Sequence, residues 1–330
     1  MRRITGSAAV LALVLLAAAC GGSAGTTTKS SSPPSSAIGS SAPAAAGPSA
    51  SDLPATFPPD PSASAAQSYV SIGDSYAAGY QPTAPQKGST TRNGFAYQVV
   101  TDAKAKGYDY SLVNFGCSGA TTASILNKPG CPEKFLGPGA PSYSQTQAAA
   151  AEAYLKSHRG KIGLVTVSIG GNDITYCGGV ANPTACLAGA LGTVETNLKT
   201  LVTGLRAAAG PNVRIVGITY PDVLLGNSLS TDATKKQTAT LSVFAFRTLI
   251  NPALKAAYAS VGARFVDVTA ATGAYGSLDE KTTLPPYGSI PVPVAKICTL
   301  TYFCEFQDIH PRTKGYGIIA DLVVGTLPKR

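Results

Sequence analysis

The sequence has no tryptophan, one methionine and two histidines among its 330 residues. With so few histidines and no Cys-x-x-Cys pair, a zinc site has too few candidate ligands. The net charge is +9, yet no dense Lys/Arg cluster and no aromatic-basic RNA-binding pattern occurs, so nucleic acid is not an expected partner. A mildly basic balance suits an anionic cell envelope or an acidic substrate instead. Beyond the N-terminus no apolar run is long enough to span a bilayer. The 44% hydrophobic content is enough for a soluble core built from Ala, Val and Leu.

What is present begins with a leader. Arg2-Arg3 supplies a positive start, residues 8–19 an apolar stretch, and small residues precede Cys20. Leu16-Ala17-Ala18-Ala19-Cys20 resembles the bacterial lipoprotein signal, in which the cysteine is lipidated and becomes the first residue; Ala17 stands where that signal prefers Leu. Residues 21–66 are almost all Ser, Ala, Gly, Pro and Thr, with Lys29, Asp52 and Asp60 the only charges. Such a stretch buries too little apolar surface to repay ordering, so a flexible tether is expected. The organisation read here is a leader over 1–20, a tether over 21–66 and a folded domain over 67–330, exported and held at the outer face of the cell membrane.

Setting Cys20 aside leaves six of the seven cysteines, in three sequence-local pairs: Cys117 with Cys131, Cys177 with Cys186, and Cys298 with Cys304. In an exported chain this reads as three small disulfide loops, although spacing alone does not choose among the pairings.

From residue 67 onward, short β-favouring runs alternate with helical patterns. Strands are expected at 69–72, 110–114, 164–169, 213–218 and 264–268. Helices are expected at 94–106, 143–157, 183–209, 234–260 and 313–324. Five strands separated by helices imply parallel βαβ units in a three-layer α/β/α sandwich.

Chemistry-bearing residues fall just after the strands. Gly73-Asp74-Ser75 follows the first, Asn114 to Thr121 the second, and Gly170-Gly171-Asn172-Asp173 the third. Asp308-Ile309-His310-Pro311 precedes the closing helix. In a parallel sheet the strand-end segments gather at one edge, where ligands bind. A serine hydroxyl needs a base within reach. His310 is the candidate, because His158 sits at a polar helix end and reads as solvated surface. A tetrahedral oxyanion needs fixed donors. The Ser75 and Gly119 backbone N–H groups and the Asn172 side-chain amide could supply them, with glycine leaving room for a close approach. Asp74 and Asp173 read as turn-holding residues that bond backbone amides.

These four blocks, in order and covering about residues 68–320, resemble the SGNH/GDSL hydrolase family. The resemblance implies a flavodoxin-like sheet of order 2-1-3-4-5, with Ser75 as nucleophile, His310 as base and Gly119 and Asn172 as oxyanion donors. No metal or cofactor is implied. The family's last block often carries its acid three residues before the histidine; here Gln307 holds that place and Asp308 lies two before. Asp308 is the expected orienter of the imidazole, the alternative being a Ser-His dyad oriented by a backbone carbonyl. Gly73-Asp74-Ser75-Tyr76-Ala77 lacks the closing glycine of the G-x-S-x-G elbow, which argues against the α/β-hydrolase fold.

The expected activity is hydrolysis of carboxylic esters by a monomer. Its rivals are acyl transfer to, or deacetylation of, envelope glycans or lipids, and a non-catalytic envelope-binding lipoprotein. Cys117 is expected to stiffen the Gly119 loop through a disulfide, and loops 80–92, 129–143, 227–232 and 284–294 to wall the pocket.

Overall fold

A computed structural model describes residues 66–179 and 183–330. The expected leader, Cys20 and the tether up to residue 65 lie outside the described residues. The elements in chain order are β1 (Gln67–Gly73), α1 (Ser75–Ala78), β2 (Tyr80–Ala84), β3 (Lys87–Thr90), α2 (Phe95–Lys104), β4 (Tyr110–Asn114) and α3 (Thr122–Asn127). They continue with α4 (Gln147–Ser157), β5 (Ile162–Ser168), α5 (Gly171–Thr175), α6 (Pro183–Ala209), β6 (Arg214–Ile218), α7 (Ala233–Ala245), α8 (Asn251–Ala259) and β7 (Arg264–Val266). The last are α9 (Val268–Ala271), β8 (Lys281–Leu284), β9 (Gly288–Pro291), α10 (Val292–Leu300), α11 (Phe303–Phe306) and α12 (Thr313–Gly325).

Five strands form one parallel sheet in the order β4-β1-β5-β6-β7. Renumbered within the sheet this is 2-1-3-4-5, the expected order. Val70 pairs with Val113 on one side and Val165 on the other. Tyr69, Val70 and Ile72 are all fully buried, so β1 is covered on both faces, as a central parallel strand must be. One helical layer is built from α2 and α12, the other from α4, α6 and α8. The buried side of α6 carries Val194, Leu198, Leu201, Val202 and Leu205, the spacing of one helix face. Tyr316, Ile319, Ala320 and Val323 do the same for α12. All three expected disulfides are formed: Cys117–Cys131, Cys177–Cys186 and Cys298–Cys304.

Two features differ from expectation. The helix expected over 234–260 is α7, a π-helical turn at Phe246–Ile250, and α8. Pro252 at the start of α8 has no N–H and its ring crowds the preceding turn, so the helix widens where an α-turn cannot close. The stretches read as loops contain two antiparallel hairpins, β2–β3 and β8–β9, followed by α10. Their strands are short and hold Gly, Pro and Thr, with no alternation of apolar and polar residues to announce them.

Past the end of β6, Asp222 is fully buried and its carboxylate accepts the Ser242 hydroxyl of α7 at 2.9 Å. Burial pushes this carboxyl up to about 7 even though hydrogen bonds oppose the rise. The unfolded chain releases the same proton near pH 4. Between those values the native state holds a proton that the unfolded state lacks, so stability falls as pH rises through the window. Asp222→Asn removes this proton uptake, so its urea midpoint declines less than that of the parent between about pH 5 and about pH 8.

Candidate active site

The parallel sheet brings the ends of β1, β4 and β5 to one edge, and Ser75 sits there in the first turn of α1. Gly73 has φ +146°, and a Cβ on it would overlap the Ser168 carbonyl of β5. Only glycine lets β1 run this close to its neighbour before turning. The Gln147 side chain clamps the same residue, accepting from the Gly73 N–H and donating to its carbonyl, each at 3.0 Å. Asp74 caps α1: its Oδ1 accepts the Tyr76 N–H at 2.9 Å and its Oδ2 accepts the Tyr220 hydroxyl at 2.6 Å. Burial pushes the Asp74 carboxyl up to about 7, against the pull of those two bonds. The expected turn-holding role is therefore what the geometry contains, with Tyr220 as an added partner.

His310 meets Ser75. Its Nε2 lies 2.8 Å from Ser75 Oγ and its Nδ1 lies 2.7 Å from Asp308 Oδ1. An ionised carboxylate can only accept, so Nδ1 carries the proton and Nε2 is left to accept from the serine hydroxyl. Asp308 also accepts the His310 backbone N–H at 2.9 Å. Burial works against ionisation of Asp308, but hydrogen bonding and the charge of His310 outweigh it and hold its pKa below the usual value. Gln307 takes a left-handed backbone (φ 56°) that ends α11, and its amide turns back to the Phe303 carbonyl at 3.1 Å. It is thus occupied as a helix cap, and Asp308 is the residue that reaches the ring.

The loop carrying His310 is tied down from several sides. Tyr76 Oη donates to the Ile309 carbonyl at 2.6 Å, linking the base loop to the serine turn. The Tyr80 ring lies 4.5 Å from the imidazole, centre to centre. The Cys298–Cys304 disulfide joins α10 to α11 just upstream. Tyr76, Tyr80, Gln147 and Tyr220 were not singled out by sequence reasoning. Each partner lies far away in the chain, so no local pattern announces it.

Gly119 has φ +83°, while a Cβ there would meet no protein atom within 4 Å. The left-handed backbone, and not crowding by protein atoms, is what selects glycine. The segment is held by the Cys117–Cys131 disulfide and by the Cys117 N–H donating to the Gly73 carbonyl at 3.0 Å. Asn172 Nδ2 uses one N–H on the Ala120 carbonyl at 2.9 Å. Asp173 accepts the Thr122 N–H at 2.9 Å and the Thr122 hydroxyl at 2.6 Å, fixing the start of α3. Ser75, His310, Gly119 and Asn172 line one cavity of about 480 Å³, whose walls include Tyr80, Phe135, Tyr143 and Lys128.

Of the expected walls, loop 129–143 lines the cavity, loop 80–92 contributes Tyr80 alone, and loops 227–232 and 284–294 do not line it. Ile290 and Val294 are buried in a separate apolar cluster against which Leu229, Leu284 and Tyr287 pack, so these two loops cover each other. His158 also departs from expectation. It is half-buried, stacked on Tyr154 at 4.0 Å with Nδ1 near the Tyr154 carbonyl.

Residues 71–318 match the family model of the GDSL-like lipase/acylhydrolase family. The chain belongs to this family. Among solved structures, this GDSL-family hydrolase is similar to an extracellular lipase from Streptomyces rimosus (20% identity, TM-score 0.47), covering 78% of this chain and 100% of that one. It is also similar to an acetylxylan esterase from Geobacillus stearothermophilus (18% identity, TM-score 0.44, 79% and 95% covered). A third similarity is to a lipase/acylhydrolase from Enterococcus faecalis (18% identity, TM-score 0.42, 80% and 98% covered). No curated protein matches the sequence.

Because Gly73 combines a left-handed backbone with a wall of Ser168 atoms, Gly73→Ala costs about 2–4 kcal/mol of unfolding free energy, read by denaturant titration.

Proposed function

We propose that this GDSL-family hydrolase is an exported serine esterase that cleaves carboxylic esters through an acyl-enzyme on Ser75. The observation that carries the reading is the unbroken chain of bonds from Asp308 through His310 to Ser75, opening onto the cavity that Gly119 and Asn172 also line. In the proposed reaction Ser75 Oγ attacks the ester carbonyl as His310 Nε2 takes its proton. The resulting imidazolium faces Asp308, already ionised, which stabilises it and holds the ring orientation. Charge on the former carbonyl oxygen is met by the Ser75 and Gly119 N–H groups and by Asn172 Nδ2. Collapse breaks the bond to the alcohol, which leaves with the proton from His310. Water then repeats the sequence on the acyl-enzyme, with His310 again as base.

Export is supported by the N-terminal leader pattern and by the three disulfides, which persist in oxidising compartments. We extend the proposal to lipidation at Cys20, a tether over 21–66 and a hydrolase domain over 67–330.

Ser75→Ala abolishes turnover of short p-nitrophenyl esters and abolishes labelling by a fluorophosphonate, with adducts located by peptide mass mapping. Turnover or labelling that survives the substitution refutes the nucleophile. If Asn172 donates to the oxyanion, Asn172→Ala lowers kcat by about 100- to 1000-fold with little change in KM, because the bond forms only in the transition state.

A further inference from the structure

Helix α7 leaves large apolar side chains in solvent. Its buried positions are Ala239 and Ser242, whereas Leu241 is 51% exposed and Phe244 60% exposed. Leu249, in the π-helical turn that follows, is 44% exposed. An amphipathic helix of a globular domain places its large apolar residues inward. Here Val243, packed against the buried cluster of Leu225, Ala274 and Ile297, and Phe246 of the next turn do face inward, yet Leu241, Phe244 and Leu249 face outward. A single exposed leucine needs no explanation, but three large residues along one helical stretch do.

The charges on this stretch have one sign. Lys235, Lys236, Arg247 and Lys255 are exposed along α7, the π-helical turn and α8. The only acid between residues 227 and 266 is Asp232, whose carboxylate is occupied capping α7 through the Thr234 and Lys235 N–H groups at 2.7 and 3.3 Å. Arg247 is turned to the Tyr275 carbonyl at 3.0 Å, which leaves the three lysines as the outward cations. Large apolar side chains flanked by lysines on a helix are the pattern of a helix that lies in a membrane interface.

We propose that the outer face of α7 and the following turn docks on an anionic lipid bilayer, with Leu241, Phe244 and Leu249 entering the headgroup–acyl boundary and the lysines meeting phosphate groups. Charge selects this occupant over a second copy of the chain. A two-fold contact through this face would set the same lysines against one another, in a chain of net charge +9. An anionic surface complements them instead.

The absence of tryptophan supplies the test. In the full chain carrying Phe244→Trp, that residue is the sole tryptophan and reports this face alone, whatever the N-terminus does. Its emission is expected to shift to shorter wavelength on addition of phosphatidylglycerol vesicles and not of phosphatidylcholine vesicles. Raising the salt concentration reverses the shift, and Lys235→Glu with Lys236→Glu abolishes it. A control, Thr101→Trp, places the reporter on the exposed side of α2, in the opposite helical layer, and shows no shift. The proposal is overturned by an unmoved Phe244→Trp emission, by equal shifts for the two reporters or for the two lipids, or by a shift that follows protein concentration without vesicles. The last result assigns the face to a second copy.

Discussion

Gly73 lies against the Ser168 carbonyl of β5 with no room for a side chain, and its own amide and carbonyl are both taken by Gln147. The same carbonyl accepts the Cys117 N–H, and the next amide, of Asp74, donates to Ser168 at 3.0 Å. One residue thus fastens β1 to β5, to α4 and to the loop that carries Gly119. Parallel strands make this junction available, because their carboxyl ends share an edge. The position of Ser75 relative to Gly119 follows from backbone bonds to this one point, and surface side chains contribute little to it. A site held this way has few rotamers to order when a substrate arrives.

The histidine is placed on a different principle. Its loop returns to the sheet edge from 235 residues away in sequence, and it is anchored to the serine turn by Tyr76 Oη on the Ile309 carbonyl. The Asp308 carboxylate, by contrast, is only two residues away, and bonds both the ring and the backbone of His310. Ring orientation therefore travels with the loop, while the distance from ring to serine depends on Tyr76 and on the Tyr80 ring beside the imidazole.

Much of this was legible in the sequence. The strand at 110–114 and the long helix at 183–209 stand where they were expected, the helix because it buries a regular stripe. The four blocks announced themselves through Gly, Asn and Asp at three strand ends and His310 before the closing helix. What was not legible depends on partners distant in the chain: Gln147 on Gly73, 74 residues apart, and Tyr220 on Asp74, 146 apart. The hairpins escaped because their strands carry no alternation. The cavity walls escaped in part because loops 227–232 and 284–294 bury their apolar residues on each other, and no composition separates a loop that lines a site from one that covers a neighbour.

Two aspartates compete for the role beside the serine, and their surroundings separate them. Asp74 is adjacent to Ser75 in sequence but fully buried, facing the Tyr76 amide and the Tyr220 hydroxyl; burial dominates and pushes its carboxyl up to about 7. Asp308 is only half-buried and faces the His310 ring, whose hydrogen bonds and charge hold its carboxyl below the usual range despite burial. A carboxylate that is ionised throughout the neutral range can stabilise an imidazolium, whereas one that titrates near 7 is partly neutral there. Asp74 also spends both oxygens on α1 and Tyr220, with none aimed at the imidazole. Nearness in sequence points to the wrong acid, and solvation with hydrogen bonding identifies Asp308 as the partner of His310.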